Sequence, residues 1–472
     1  MAEQAEYIVV GLGIAGEDIG GTLAEAGHDV VGIERALVGG ECPYWGCLPS
    51  KMMIRAANLL AEARRIPGMA GASSVTPDWG PVQLRIREEA TDHWNDQVAV
   101  DRFTGKGGRF VRGTATITSP RSVEVDGTTY EASRGLVIAS GAAPAIPPIE
   151  GIEHVDYWTN HEATETDTLP QSLLVLGGGV VGLELGQAMS RFGTKVTVVE
   201  AEERLLPLHE PEAGVLIAEV FQNEGIEVYT GRHADRVAQS DEGVTLHLSD
   251  GTELRAERLL VAAGRKTELA KLGVGAAGLD ESARFIEVDR RMRAIPRSDA
   301  PDGAGDGIWA VGDNTGVGAF THLSYYQSAI AIADILGKDT HEADYRALAG
   351  VAFTDPEVGL VGLTEAQARE QGISVRVGTQ QVPHSARGWL HKAGNEGFIK
   401  LIEDADRGVL VGATSVGPHG GEVLGLLALA VHAQVPIAEF QKMHFAYPTF
   451  HKGVEDALKD LVSRPSGEAA PA

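Results

Sequence analysis

One pattern occurs twice in this chain and narrows the folds open to it. An apolar run, Tyr7-Ile-Val-Val10, leads into Gly11-Leu-Gly13-Ile-Ala-Gly16, then a helical stretch to Ala26. A second apolar run, Asp29-Val-Val-Gly-Ile33, follows and ends on Glu34. Far downstream, Leu173-Leu-Val-Leu176 leads into Gly177-Gly-Gly179-Val-Val-Gly182, a helix to Phe192, and Lys195-Val-Thr-Val-Val199 ending on Glu200. Strand, glycine turn, helix and strand make a βαβ unit, and two of them imply an internal duplication of α/β domains. In such a turn the first glycine permits the tight bend and the second lets a pyrophosphate approach the backbone. The third lets the helix pack close to its strand. The helix N-terminus adds unpaired N–H groups and a positive dipole end. An acid about 20 residues on binds ribose hydroxyls, and Glu34 and Glu200 stand equally far beyond Gly11 and Gly177. One such hexad also arises for packing reasons alone; two complete units predict two dinucleotide sites. In the second unit Glu200, Glu202 and Glu203 place carboxylates where a 2′-phosphate would sit, which favours NAD(H) over NADP(H). Arg204 acts against that preference.

Between the two units, residues 50–66 and 82–103 read as helices. Phe110 to Tyr130 alternates around an Asp126-Gly127 turn and reads as antiparallel strands, with the strand Gly135 to Ser140 behind it. The second unit has a similar meander through Val244–Leu248, the Asp250-Gly251 turn and Arg258 to Ala262. A Gly/Pro-rich loop over 296–307 leads to the short strand Ile308-Trp-Ala-Val311. From about residue 346 strands and amphipathic helices continue without another glycine fingerprint, which marks a third domain. The tail from Ser463, with its prolines and small residues, is expected to be disordered.

Composition excludes several functions. The formal charge of −26 lacks the basic patches that nucleic acid or an anionic membrane surface requires. The acidic start, Met1 to Tyr7, has no basic or apolar leader character, and the longest apolar stretch, Leu424 to Val435, is too short to span a bilayer. These features predict a cytoplasmic protein of ordinary globular composition. Only two cysteines are present, in Cys42-Pro-Tyr-Trp-Gly-Cys47. A close pair in such a chain points to redox or metal chemistry. A closed zinc site needs further ligands that no other cysteine can supply, so no metal site is expected; two inert core thiols are the alternative. The segment from Pro49 looks like a helix start, whose positive end would lower a nearby thiol pKa. A thiolate beside a flavin can donate to the electron-poor ring while a neighbouring thiol exchanges with an outside disulfide.

Gly39-Gly40-Glu-Cys42-Pro-Tyr-Trp-Gly-Cys47-Leu-Pro-Ser-Lys51 resembles the active-disulfide signature of the class I pyridine nucleotide-disulfide oxidoreductases, the family of dihydrolipoamide dehydrogenase, glutathione reductase and mercuric reductase. The resemblance covers nearly the whole chain. Ala139-Ser-Gly141 and Ala263-Gly264-Arg265 look like the motifs closing each nucleotide domain. Val311-Gly-Asp313 looks like a second FAD motif, and Phe353-Thr-Asp-Pro-Glu-Val358 like the opening of a dimerisation domain. The resemblance implies an α/β fold with two Rossmann-like domains, for FAD and NAD(P), and an α+β C-terminal dimerisation domain. The divisions are 1–150 with 271–345 for FAD, 151–270 for NAD(P), 346–462 for dimerisation and 463–472 for the tail.

It further implies FAD held by Gly11, Gly13, Gly16, Glu34, Gly40, Gly141 and Asp313, and NAD(H) held by Gly177, Gly179, Gly182, Glu200 and Gly264, its nicotinamide near Val180. Cys42 would face substrate, Cys47 the flavin, and Lys51 and Glu184 would pair near flavin N5. Electrons would pass from NADH through FAD to the Cys42–Cys47 disulfide and on to a small molecule, in a homodimer.

The C-terminal signature departs from the family. Its disulfide reductases carry His-Pro-Thr with a Glu five residues after the His; here Tyr447 replaces the His and Lys452 the Glu. A phenol, with reference pKa near 10, shuttles protons poorly at neutral pH compared with an imidazole near 6.5. His444 and His451 flank the altered motif as substitute acids or as structural histidines. Three readings follow: reduction of a small disulfide or its reverse, reduction of a quinone, dye or metal ion without a disulfide substrate, and a flavoprotein subunit without catalysis.

Overall fold

The computed structural model describes residues 2–301 and 303–464. The chain forms two compact units, one of Met1–Pro49, Gln83–Ala145 and Gly264–Asp344, the other of Ser50–Val82, Ile146–Ala263 and Tyr345–Ala472.

The first unit is built on a seven-stranded sheet. Arg109–Arg112, Val30–Glu34, Glu3–Val10 and Thr128–Ile138 lie side by side and parallel, and Ile308–Ala310 continues the parallel set. Val30–Glu34 is buried along its whole length, which is why its sequence is a continuous apolar run rather than an alternation. Ile8, Val10, Ile33, Leu136, Ile138 and Ile308 pack into one core. Ser122–Val125 and Thr116–Ser119 extend the sheet antiparallel beyond Thr128–Ile138. The Asp126-Gly127 turn is made by two residues of positive φ, the geometry that matches strand twist. One part of the sequence expectation is corrected here. Arg109–Arg112, read as part of an antiparallel meander, pairs parallel with Val30–Glu34, because its carbonyls and amides complete the edge of the Rossmann sheet.

The expected helix over 82–103 is also corrected. Gly80–Arg85 runs into a π-turn at Ile86–Ala90, the chain then breaks, and a separate helix spans Gln97–Gly105. Asp92, His93 and Trp94 are all left-handed, with φ of 47°, 57° and 55°. Each such residue costs roughly 1–2 kcal/mol. The cost is offset by what the break allows. The Trp94 indole N–H donates to the Tyr44 carbonyl at 3.2 Å, and the Asp96 carboxylate accepts from Val38 N at 2.7 Å and pairs with Arg112 at 2.5 Å.

In the second unit Glu227–Tyr229, Lys195–Val199, Ser172–Leu176 and Arg258–Val261 form a four-stranded parallel sheet. A three-stranded antiparallel sheet, Ala234–Ser240, Gly243–Leu248 and Glu253–Ala256, carries the Val244–Leu248 strand and Asp250-Gly251 turn of the expected meander, whereas Arg258–Val261, expected to belong to it, joins the parallel sheet instead. Residues beyond 346 build a five-stranded antiparallel sheet from Ala349–Ala352, Glu357–Gly362, Val409–Gly417, Phe398–Asp404 and Val375–Gln381. Helices Gly420–His432 and Lys452–Ser463 close over it through Leu424, Leu427, Leu458 and Leu461. Ser463, expected to begin a disordered tail, closes the second of these helices; residues 465–472 of that tail lie outside the described residues. Among the described residues no helix is long and apolar enough to cross a membrane.

Lys400, 3% exposed, holds Glu210, Glu212 and Glu365 at 2.7, 2.8 and 2.9 Å. Breaking a buried ion cluster by removing one partner strands the opposite charges. Lys400→Met is therefore expected to lower the unfolding free energy by about 3–5 kcal/mol in urea denaturation followed by circular dichroism. A loss under about 1 kcal/mol would place these charges in effective contact with solvent.

Candidate active site

The two glycine turns have the same construction. Gly11 and Gly177 take φ of +90° and +114°, and a Cβ on either would strike the backbone of Ala139 or Ala262. A Cβ on Gly16 or Gly182 would strike the carbonyl of Gly11 or Gly177, so the third glycine sets how closely helix meets strand. The second glycine is different. A Cβ on Gly13 would have Gly40 Cα as its nearest neighbour, at 3.9 Å, and one on Gly179 would meet nothing within 4 Å. Gly141 and Gly264 likewise border open space. Helices Ile14–Glu25 and Val180–Arg191 start at Gly13 and Gly179 without a side-chain cap. An open backbone cradle at an uncapped helix end is what a pyrophosphate requires, so the residues present fit FAD in the first unit and NAD(P)H in the second.

The acids at the strand ends do more than the sequence indicated. Glu34 accepts Leu12 N and Ala36 N, both at 2.8 Å. Glu200 accepts Gly178 N at 2.6 Å and Glu202 N at 2.8 Å. Each buried carboxylate thus braces the middle of its own glycine turn. The equal spacing of acid and glycines in the two units was the sequence signal for this bracing.

The redox loop lies in the first unit. Cys42 sits on the short helix Glu41–Tyr44 and is half-buried; Cys47 opens helix Cys47–Arg64 and is exposed; both are free thiols. Cys47 Sγ lies 3.5 Å from Thr321 Oγ1, the first residue of helix Thr321–Ile335. No sequence signal singles out Thr321, which is remote in the chain and belongs to no glycine motif. The Cys42 thiol is pushed far above the usual range, by its hydrogen bond to Cys47 first and by burial second, with Thr321 pulling the other way. For Cys42 this reverses the expected lowering by the helix end, because a neighbouring sulfur that accepts the proton outweighs a partial dipole charge.

Tyr44, between the cysteines, is 6% exposed and tucked beneath Gly39, so it anchors the loop from within. Trp45 is half-buried, with its ring 5.9 Å from that of Tyr44. Asp313 faces Arg265 at 3.5 Å, and Arg265 also reaches Glu41 at 3.7 Å. Burial raises the Asp313 carboxyl above its ordinary range against the pull of Arg265.

In the second unit Lys51 Nζ and Glu184 Oε2 pair at 2.8 Å, with Glu184 almost wholly buried. Tyr447 is 73% exposed. The Lys452 ammonium is taken by Glu455, with Asp456 at 3.8 Å, rather than serving a phenolate. His444 is exposed, and His451 precedes helix Lys452–Ser463 with its ring 6.4 Å from Phe445.

The family described as "Pyridine nucleotide-disulphide oxidoreductase" matches residues 5–333, and its dimerisation domain matches residues 348–458. A mercuric reductase of Acidithiobacillus ferrooxidans is 32% identical over 97% of this chain and 82% of its own length. A dihydrolipoyl dehydrogenase of Thermus scotoductus is 32% identical over 97% of both chains. The Cu(II) complex of the HOCl-induced flavoprotein disulfide reductase RclA from Escherichia coli superposes with a TM-score of 0.83 at 25% identity, over 97% of this chain and 99% of that one. With its two braced nucleotide cradles, its paired thiols and its dimerisation domain, this chain belongs to the pyridine nucleotide-disulphide oxidoreductases, homodimeric enzymes that use FAD and NAD(P)H.

Proposed function

We propose that the chain passes electrons from NADH through FAD to Cys42–Cys47 and on to a small disulfide, or runs the same sequence backward from a dithiol. The observation that carries this reading is the hydrogen-bonded cysteine pair at a helix start, with the Thr321 hydroxyl against it. Gly11, Gly13, Gly16, Glu34, Gly40, Gly141 and Asp313 would hold FAD, which would supply a two-electron relay between nicotinamide and disulfide. Reduction of the Cys42–Cys47 bond by one electron pair and one proton gives a thiol and a thiolate. The hydrogen bond to Cys47 favours keeping the proton on Cys42. Once deprotonated, Cys42 Sγ attacks one sulfur of the substrate disulfide, whose S–S bond breaks and whose leaving thiolate takes up a proton. Cys47 then attacks Cys42 Sγ, re-forming the internal disulfide and expelling the second product as a thiolate, which takes a proton from solvent. In the homodimer Tyr447 of one subunit serves Cys42 of the other. Lys51 and Glu184 hold charge beside the flavin, and the domains follow the divisions 1–150 with 271–345, 151–270 and 346–462. A cytoplasmic location fits a chain whose only cysteines are this pair.

NADH is the preferred donor in this reading. Gly177, Gly179 and Gly182 form its cradle, and Glu200 stands at its strand end. Arg204, the residue that could have received a 2′-phosphate, donates instead to the carbonyl of Pro207 at 2.9 Å and, more weakly, of His209 at 3.4 Å.

A second reading is favoured by one observation. Lys452 is committed to Glu455, and a phenol, Tyr447, stands where the family's disulfide reductases carry the imidazole. Acceptors that need no acid for a leaving thiolate, such as a quinone, a dye or a metal ion, fit that arrangement, and the name of the mercuric reductase relative accords with the last.

Cys42→Ser is expected to lower NADH-dependent disulfide turnover on the order of 10³-fold or more, and activity that survives it removes the disulfide reading. Tyr447→Phe is expected to cost about 10²-fold with a disulfide; an unchanged rate with a quinone or metal ion would favour the second reading. In the reduced protein, Cys47→Ala removes the largest cause of the raised Cys42 pKa. Cys42 alkylation at pH 7 should then speed up about tenfold and rise with pH through the ordinary thiol range near 8.5; an unaltered profile would contradict the assigned proton position. NADH should exceed NADPH in kcat/KM by at least about tenfold, and parity would show that Arg204 turns to the phosphate.

A further inference from the structure

Helix Val180–Arg191 presents Glu184, Gln187 and Arg191 at spacings of three and four, hence on one face. All three hold the same short segment, Phe353 to Asp355. Glu184 Oε1 accepts Phe353 N at 2.7 Å, while its other oxygen holds Lys51. The Gln187 amide matches a peptide group edge to edge, accepting Asp355 N at 2.8 Å and donating to Asp355 O at 2.9 Å. Arg191 and Arg65 both place Nη2 at 2.8 Å from Asp355 Oδ2. Arg191 is 3% exposed, and its remaining donors go to Glu224 and Asn58. Above this, the Phe353 ring faces the Lys51 ammonium, 4.8 Å from ring centroid to Nζ. Buried charge networks of this kind contribute little net stability, and what this one does is fix the position of the Phe353–Asp355 segment.

We propose that Phe353 is a positioning residue for the Lys51–Glu184 pair: its backbone N–H orients the Glu184 carboxylate, its ring confines the Lys51 ammonium, and Gln187, Arg191 and Arg65 hold it in place through Asp355. The consequence for catalysis rests on the reading above, in which that pair lies beside the flavin. Phe353 stands at the start of the segment that the dimerisation domain contributes, so that domain sets the stance of an ion pair carried by two other elements. Phe353→Leu keeps the N–H and the apolar bulk but removes the ring face. Gln187→Met keeps length and removes both hydrogen bonds to Asp355.

The test is pulse labelling of the flavin-loaded protein with acetic anhydride, read by mass spectrometry at Lys51, with exposed Lys338 as internal reference. A side chain released from an aromatic face is less confined and more open to the reagent, so Lys51 should label about three- to fivefold faster in Phe353→Leu. Gln187→Met should act in the same direction, and Phe353→Tyr, which restores a ring, should return the wild-type rate. The same proteins are titrated anaerobically with NADH, where Phe353→Leu should lose several-fold of the long-wavelength absorption that Cys47 gives with the flavin. Unchanged Lys51 labelling in Phe353→Leu overturns the proposal, and that variant decides the matter if Gln187→Met fails to fold. A wild-type protein that binds flavin yet gives no such absorption overturns the electron route instead, while the Lys51 labelling still decides the role of Phe353.

Discussion

A buried carboxylate that holds the backbone of a glycine turn is the contact on which both βαβ units depend. Glu34 on Leu12 N and Glu200 on Gly178 N each fix a turn that glycine alone would leave free to move, since glycine gains its access to positive φ at the cost of conformational entropy. The brace is charge-assisted and dry, and therefore stronger than a neutral hydrogen bond on the surface. Because the helix starts at the same turn, fixing it also aims the first N–H groups of that helix into the open space beside Gly13 and Gly179.

The redox loop depends on supports from distant parts of its unit. Trp94, at the end of three left-handed residues, holds the Tyr44 carbonyl; Asp96 holds Val38 N; Thr321 stands against Cys47. The two thiols share a hydrogen bond that keeps the proton on the more buried sulfur. The result is an asymmetric pair, with Cys42 half-buried and its thiol pushed above the usual range by the neighbouring sulfur.

The altered C-terminal motif has its own internal logic. Once Lys stands where a carboxylate would orient an imidazole, the charge is absorbed locally by Glu455 and Asp456 at i+3 and i+4 on the same helix. Tyr447 is left projecting from the surface of its unit.

Sequence alone determined the two βαβ units, because a glycine fingerprint between apolar runs is a local pattern read at fixed spacing. It also determined the cysteine pair, its family signature and the loss of the His and Glu. Contacts between residues far apart in the chain lie outside such patterns. That Arg109–Arg112 completes a parallel sheet, that 82–103 breaks to bring Trp94 and Asp96 to the redox loop, and that Phe353 meets Lys51 and Glu184 were decided by tertiary packing. In each case an N–H or a charge took a partner that its own neighbourhood could not supply, and only the folded chain brought one within reach.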